Sequence, residues 1–221
     1  MLKTRLLIAA AGIAACGAVA TADIDVTVDS SATWYGYMNV FELPSNGGGY
    51  LWGSPWGLAD LPASFTGDVL RLGPNTNTYQ PGDLYWVNPD GSGNKWMNAN
   101  IYGESNAIIN ETVNFSGHTL LNSLVSGYES RAFIKVLDPS QGWATILSVF
   151  APLSTGNDFN LSLAIPNTAG LFTQWGFETN GANANPATVD QLGHVEVGPI
   201  PAPASLALVG LGGLVAGRRR R

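Results

Sequence analysis

The feature that most constrains the fold is a succession of short runs, apolar or alternating, separated by clusters of turn-forming residues. Residues 24–29 (Ile-Asp-Val-Thr-Val-Asp) alternate with a period of two residues, as a strand with one buried face does. Residues 88–91 (Asn-Pro-Asp-Gly) are typical of the turns between such runs. Strands are predicted at residues 24–29, 33–42, 50–52, 65–72, 96–102, 111–115, 127–137, 143–150, 159–165, 172–177 and 193–197.

No segment keeps a sustained apolar period of 3.6 residues, and residues 119–126 could form at most one or two helical turns. The longest stretch without a predicted strand is 73–94, which is rich in Asn, Pro and Gly. Many short strands without helices predict an all-β fold, a two-sheet antiparallel sandwich.

The first 22 residues have the composition of an export signal. Lys3 and Arg5 precede an apolar run at residues 6–15, and Ala20-Thr21-Ala22 has small residues where signal peptidase cleaves, at Ala20 and Ala22. We therefore expect an N-terminal signal helix, passage through the Sec translocon, and removal of residues 1–22.

An alternative processing site overlaps this signal. Residues 13–16 (Ile-Ala-Ala-Cys) resemble a lipobox, in which Cys16 would carry a lipid. Cys16 is the only cysteine of the chain, so cleavage after Ala22 leaves a protein without disulfide or thiol chemistry.

The C-terminus has the composition of a membrane segment. Residues 206–217 are uncharged and mostly apolar, and as a helix they would rise about 18 Å, against a hydrocarbon core of about 30 Å. Four basic residues end the chain: Arg218, Arg219, Arg220 and Arg221. Arginines favour the cytoplasmic side, so a short transmembrane helix is predicted with the body of the protein outside the inner membrane. By this argument alone, the segment is an ordinary tail anchor.

The order of Pro201-Ala202-Pro203, a short span and a terminal arginine cluster resembles the PEP-CTERM sorting signal in its Pro-Ala-Pro variant, with Ala202 in place of the usual Glu. The resemblance implies a temporary membrane anchor that an exosortase cuts, and delivery of the protein to the cell envelope, the cell surface or the extracellular matrix. The chain then divides into a signal peptide (1–22), a β-sandwich domain (23–198) and a sorting signal (199–221).

Charge excludes two classes of partner. Outside the signal and the tail there are four basic residues and sixteen acidic ones, a net charge of −12. Such a body repels nucleic acid and anionic lipid, so neither is expected to bind it.

The body also resembles the jelly-roll carbohydrate-binding modules. Residues 39–42 (Asn-Val-Phe-Glu) with a Trp soon after, and residues 127–135 (Gly-Tyr-Glu-Ser-Arg-Ala-Phe-Ile-Lys), follow the order of that family's motifs. The closing strand at residues 192–197 lacks the family's acidic pair. The resemblance implies a jelly-roll, galactose-binding-like sandwich, and a structural calcium ion held by Glu42 and Glu196.

Aromatic residues in loop-like segments suggest a sugar site. Trp52 and Trp56 flank a Gly/Ser/Pro segment, and Tyr85 and Trp86 precede Asn and Asp residues. Trp and Tyr stack on the apolar faces of pyranose rings, while amides and carboxylates bond the hydroxyl groups. The alternative is that these rings belong to the core or anchor the loops.

The sequence contains no motif of a catalytic site. Glu178, at the end of an apolar run, is the best single candidate for an acid-base residue, but it has no marked partner and is interpreted as a strand-end carboxylate. His118 and His194 are interpreted as structural. Residues 88–94 place oxygen ligands at alternate positions, as calcium loops do, but the acidic residue that should close such a loop is missing and Asn-Pro-Asp-Gly is a strong turn sequence, so the turn is the favoured interpretation.

The expected function is therefore that of a non-enzymatic, exported protein that binds polysaccharide. A structural or adhesive surface protein without a defined ligand is the second expectation, and a secreted carbohydrate-active enzyme the third. The sequence requires no cofactor, a structural Ca²⁺ ion being the one candidate.

Overall fold

The computed structural model describes residues 23–201, and within this range it contains twelve strands and three single-turn 3₁₀ helices. The strands are β1 (Asp23–Thr27), β2 (Tyr35–Glu42), β3 (Tyr50–Pro55), β4 (Ala63–Thr66), β5 (Val69–Leu72), β6 (Lys95–Ser105), β7 (Thr112–Asn122), β8 (Glu129–Asp138), β9 (Ala144–Pro152), β10 (Asp158–Ala164), β11 (Phe172–Ala182) and β12 (Val195–Gly198). The 3₁₀ helices span Pro44–Asn46, Pro139–Gln141 and Val189–Leu192. The prediction of an all-β, two-sheet fold is confirmed for the described residues.

The strands form two six-stranded sheets. Sheet B has the order β3-β2-β6-β11-β8-β9, and every neighbouring pair in it is antiparallel. Sheet A has the order β1-β7-β12-β5-β4, with β10 also paired to β7. β1 and β12 lie end to end along one side of β7, and β10 follows its other side.

The prediction of a wholly antiparallel sandwich is wrong at one pair, because β1 runs parallel to β7. Parallel neighbours need a long crossover between them. Here β2 to β6 separate the two strands along the chain, so the connection is long enough.

Two local predictions are also corrected. Residues 65–72 were expected to form one strand, but they belong to the hairpin of β4 and β5, which turns at Gly67 with φ +56°. At residues 119–126, at most one or two helical turns were expected. The first four of these residues instead belong to β7, which continues to Asn122. The predicted irregular stretch 73–94 contains no strand and only an isolated bridge between Val87 and Gly93.

The core lies between the two sheets. Phe177 of sheet B packs against Phe115 and Phe159 of sheet A, with ring centroids 5.4 and 5.6 Å away. All three rings are buried, and Val and Leu residues of β5, β7 and β12 surround them. Burial of apolar side chains from both sheets is the main stabilising contribution to such a sandwich.

Alternation along the strands decides which residues remain outside this core. In β6, Met97, Ala99 and Ile101 are in the core, so Asn98 and Asn100 lie on the opposite, outer face of sheet B.

The termini were predicted to contain a signal helix and a membrane helix. Both segments lie outside residues 23–201, and within that range no helix is long and apolar enough to cross a membrane.

Candidate functional site

A row of three asparagines crosses the outer face of sheet B. Asn39 of β2, Asn98 of β6 and Asn180 of β11 are register partners on neighbouring strands. Asn39 Nδ2 donates to Asn98 Oδ1 (3.1 Å), and Asn98 Nδ2 donates to Asn180 Oδ1 (2.6 Å). Asn180 Nδ2 in turn donates to Glu129 Oε1 of β8 (3.3 Å). A carboxylate only accepts hydrogen bonds, so Glu129 requires the Asn180 amide to present its NH₂ group. The successive hydrogen bonds then fix the orientation of the Asn98 and Asn39 amides as well.

A group of charged side chains lies beside this amide row. The carboxylate of Glu178 accepts from Arg131 Nε (2.6 Å) and from Lys135 Nζ (2.7 Å), and Lys135 also donates to Asn100 Oδ1 (2.8 Å). The Glu178 side chain is only 3 % exposed and that of Lys135 14 %, whereas that of Arg131 is 41 % exposed. Glu178 is thus a buried carboxylate shared by two cations.

These cations decide the ionisation of Glu178. Burial by itself raises the pKa of Glu178, but Lys135 and Arg131 outweigh it and hold the pKa below its usual value. Burial also lowers the pKa of Lys135, against the attraction of the carboxylate. A carboxyl group held ionised in this way is a poor general acid, since proton donation requires the protonated form. Glu178 lies within β11 rather than at a strand end, so the strand-end interpretation is wrong.

An open cavity of about 620 Å³ lies over Glu178 and two members of the amide row, Asn98 and Asn180. Its polar lining includes Asn98, Asn180 and Arg131. Two aromatic residues, Phe41 and Trp96, line it as well. The cavity also contacts Pro44, Gly47 and Gly48, part of the short turn between β2 and β3, where Gly47 (φ +92°) and Gly48 (φ +65°) adopt left-handed conformations that favour glycine. We call this cavity groove 1.

A second cavity of about 380 Å³ adjoins the first. It is lined by Asn122, Leu124, Tyr128, Glu129, Ser130, Arg131, Phe150, Pro152 and Leu153. Glu129 and Arg131 line both cavities, so these two side chains stand at the junction. We call this cavity groove 2.

The aromatic residues that the sequence suggested for sugar binding come together elsewhere. Trp52 contacts Trp56 and Trp86, with ring centroids 6.3 and 6.0 Å away, and its Nε1 donates to the hydroxyl group of Tyr85 (3.0 Å). All three tryptophans are partly buried and packed against the core, while Tyr85 is exposed. None of the four lines groove 1 or groove 2. Their arrangement fits the alternative interpretation, that they anchor loops to the core.

The two proposed calcium ligands have separate partners. Glu42 forms an ion pair with Lys95 (3.1 Å) and borders groove 1, whereas Glu196 lies in sheet A beside His194 Nε2 (3.3 Å). Within residues 23–201, no group of three or more His, Cys, Asp or Glu residues is arranged to hold a metal ion. A structural calcium ion therefore stays a prediction from the resemblance alone.

Residues 88–94 form a closed turn. Asp90 Oδ1 accepts from the backbone N–H and the hydroxyl group of Ser92, and the N–H of Gly91 donates to the carbonyl of Asn88 (2.9 Å). The only acidic side chain of the segment is thus engaged within the turn. This geometry favours the turn over the calcium loop.

The remaining predicted residues lie at the surface or outside the described range. His118 Nδ1, within β7, lies 2.7 Å from Oδ1 of Asp158, the first residue of β10. Pro201 is exposed and is the last described residue. Ala20, Ala22, Ala202, Pro203 and the four terminal arginines, Arg218 to Arg221, lie outside residues 23–201, so their predicted roles are not addressed by the structure.

Comparisons with known proteins add little to this description. No protein-family model and no curated protein matches the chain. A solved structure described as "CBM4 structure and function" aligns with 77 % of this chain and 88 % of its own, with 10 % sequence identity and a TM-score of 0.31. A TM-score of this size carries no argument about ligand or activity. The protein is therefore of the all-β class, with two packed sheets and a polar groove on the outer face of one of them.

Proposed function

We propose that this is an exported, non-catalytic surface protein that binds polysaccharide in groove 1. The observation that carries the proposal is the amide row, of which Asn98 and Asn180 line an open cavity that also has aromatic residues in its lining. Each amide offers both donors and acceptors, which is what a ligand covered with hydroxyl groups requires. Trp96 and Phe41 provide apolar surface for the C–H faces of sugar rings.

The rigidity of the groove floor supports the same proposal. Each amide of the row is held by a neighbour on the next strand, and the strands concerned, β2, β6, β11 and β8, are all internal to sheet B. Polar groups that are already oriented lose little conformational freedom when a ligand binds, so more of the interaction energy appears as affinity.

The proposal of a non-catalytic role rests on the state of Glu178. A glycosidase of the usual kind needs one carboxyl group able to donate a proton opposite a second carboxylate. Glu178 and Glu129 do share the amide of Asn180, but Glu178 is only 3 % exposed and its two oxygens are hydrogen-bonded to Arg131 and Lys135, so it is available neither as a proton donor nor as the opposing carboxylate. A glycosidase would release new reducing ends from a bound polysaccharide, and we expect no such release.

The binding experiment uses the full chain, purified in detergent, and a panel of soluble polysaccharides measured by calorimetry. Trp96→Ala and Asn98→Ala should each weaken binding about tenfold, since each removes ligand contacts worth about 1.4 kcal/mol. Trp143→Ala is the matched control, because Trp143 is 53 % exposed and lines neither groove. Binding that survives both groove variants would place the site elsewhere, and a folded protein that binds no polysaccharide would refute the proposal.

Export and processing form a separate part of the proposal, supported by the composition of both termini. The Sec translocon would export the chain, and the residues after the domain would anchor it transiently in the inner membrane until an exosortase cuts near Pro201-Ala202-Pro203. The test is the mass of the protein recovered from the host. Pro201→Ala with Pro203→Ala should retain the longer, membrane-bound form, and Pro199→Ala should not. A wild-type protein that keeps its arginine tail would show an ordinary anchor instead.

The second candidate function, a structural or adhesive surface protein, is favoured by strand β9. It is one of the two edge strands of sheet B, carries no charged residue, and exposes Ile146, Leu147 and Phe150. Uncharged, apolar edges are the usual place for strand pairing between chains. Concentration-dependent assembly, abolished by Ile146→Lys and independent of any glycan, would support this function over polysaccharide binding.

A further inference from the structure

Arg131 stands where grooves 1 and 2 meet, and two contacts fix its guanidinium group. Its Nε donates to Glu178 (2.6 Å), and its Cζ lies 4.1 Å from the centroid of the Phe150 ring. Among the described residues, none accepts a hydrogen bond from its two terminal nitrogens, and the side chain is 41 % exposed. The outer end of a positioned guanidinium group, with its N–H donors, therefore faces the open junction.

The distribution of positive charge singles out the same residue. Residues 23–201 contain four basic side chains, and two of them, Arg131 and Lys135, lie on the outer face of sheet B, while Lys95 pairs with Glu42 at the border of groove 1. Lys95 and Lys135 are only 5 % and 14 % exposed and are each paired with a glutamate. Arg131 shares its glutamate with Lys135, so the two cations share one negative charge. Arg131 is the cation of this face that an incoming ligand can reach.

We propose that grooves 1 and 2 together bind one chain of an acidic polysaccharide, and that Arg131 binds a sugar carboxylate at their junction. This inference rests on the proposed function and names its ligand class. A planar guanidinium group offers two parallel N–H donors that match the two oxygens of a carboxylate, whereas a lysine offers a point charge. The stacking on Phe150 and the bond to Glu178 hold that plane in place before the ligand arrives.

Glu129 sets the opposing charge at the junction. It lies two residues before Arg131 on β8, is exposed and lines both grooves, and its carboxylate accepts a hydrogen bond from Asn180. A ligand carboxylate is attracted by Arg131 and repelled by Glu129 and by the net negative charge of the body, so the proposed attraction is local to the junction. The two residues therefore have opposite effects on an acidic ligand, and a neutral ligand would not distinguish them by charge.

The test compares polygalacturonate with the same polymer after its carboxyl groups are reduced to alcohols, so that backbone and linkage stay constant. Alginate and hyaluronan, each with its reduced form, extend the comparison to other uronic acids, and dextran sulfate against dextran tests whether sulfate suffices. Binding to the full chain is measured at low salt and at about 0.5 M salt, where exposed charges are largely screened. The variants are Arg131→Gln, Arg131→Lys and Glu129→Gln. Arg71→Gln is the matched control, since Arg71 lies in sheet A and is exposed.

We expect at least one uronate polymer to bind about tenfold or more tightly than its reduced form, as a charge-assisted pair with arginine implies. Arg131→Gln should abolish that preference, Arg131→Lys should keep only part of it, and Glu129→Gln should increase it. Arg71→Gln should leave it unchanged. Thermal unfolding of each variant shows whether a loss of binding is a loss of fold, and Arg131→Lys keeps the charge beside Glu178 if Arg131→Gln does not fold.

Three results would overturn the inference. A neutral polysaccharide that binds in the groove, loses affinity in Trp96→Ala and is not improved by carboxylates would leave the proposed function intact and refute the acidic ligand. If Arg71→Gln and Arg131→Gln lost the same affinity for the uronate polymer, or if dextran sulfate bound as tightly as that polymer, the attraction would be an unspecific one for anions. No binding of any polysaccharide would refute the proposed function together with this inference.

Discussion

Replacing Glu178 by Gln tests whether the buried ion group holds the outer face of sheet B together. The substitution keeps the shape of the side chain and removes the negative charge that Lys135 and Arg131 share. Arg131 can regain water, because its side chain is 41 % exposed. Lys135 cannot regain water in this way, because its side chain is only 14 % exposed. The cost therefore falls mainly on Lys135.

The magnitude follows from what Lys135 loses and what it keeps. Breaking a buried ion pair by removing one partner typically costs about 3–5 kcal/mol. Lys135 keeps its bond to Asn100 (2.8 Å) and its place 3.9 Å from the centroid of the Phe133 ring. Burial already lowers the pKa of Lys135, so loss of its proton offers a further escape. We therefore expect a loss near the lower end, about 3 kcal/mol, or about 6–12 °C in Tm.

The assay is urea unfolding followed by tryptophan fluorescence, with the slope m compared between variants. Glu129→Gln, an exposed change on the same face, should cost less than about 0.5 kcal/mol. Adding Lys135→Met to Glu178→Gln should restore most of the lost stability, because an apolar side chain needs no counter-ion there. A loss below about 1 kcal/mol for Glu178→Gln alone would refute the assignment of Glu178 as the buried partner of Lys135.

The free energy of unfolding should depend on pH because the pKa of Glu178 is lowered in the folded state. The stabilising contribution of Glu178 is present above the ordinary glutamate pKa of 4.5 and is lost as the pH falls below that value. Glu178→Gln should flatten this part of the profile. Trp52→Ala should lower the free energy of unfolding by about 3 kcal/mol, whereas Trp96→Ala should affect binding more than stability, as parallel calorimetric and unfolding measurements would show. Gly176→Ala should destabilise the protein by about 1–3 kcal/mol in thermal unfolding, because its Cβ would collide with the backbone of β6, and Gly49→Ala, with nothing within 4 Å, should change stability little. Equal effects of the two substitutions in either pair would contradict the packing described above.

The fold class was predictable because it depends on local patterns. Alternation and turn residues locate most strands, and the absence of a helical period excludes helical layers. The parallel pair of β1 and β7 was not predictable, because it depends on strand order and not on the composition of either strand. The extension of β7 to Asn122 was missed because residues 119–122 contain two leucines in succession, which interrupts the alternation.

The sequence-based site prediction named aromatic residues in loop-like segments, and the structure places them against the core. Trp52, Trp56 and Trp86 are large rings that lie close to short strands and turns, and a small domain buries such rings to gain apolar contact. Composition alone does not distinguish a ring that anchors a loop from one that meets a ligand. The distinction depends on which face of the strand each ring occupies.

A signal for the observed groove does exist in β6. Polar Asn98 and Asn100 alternate there with Met97, Ala99 and Ile101, and two asparagines within a strand are costly unless they have partners. The sequence thus indicates that the outer face of β6 is polar and hydrogen-bonded, but it does not indicate which residues are the hydrogen-bond partners. Asn39, Asn180 and Arg131 lie at distances along the chain that carry no information, and only the strand order β2-β6-β11-β8 brings them beside Asn98.

That strand order also separates what is fixed in the groove from what can vary. The amide row and Glu178 lie on internal strands, where each backbone is paired on both sides, so their geometry is bound to that of sheet B. Phe150, by contrast, lies on the edge strand β9, and Gly47 and Gly48 lie in the turn between β2 and β3. Ligand contacts made at the floor should therefore tolerate little substitution, whereas changes at Phe150 or at exposed Pro44, which precedes the two left-handed glycines, should alter which polysaccharide is bound without disturbing the fold. Binding and stability measured together on variants of both sets would show this division, and equal destabilisation by both sets would contradict it.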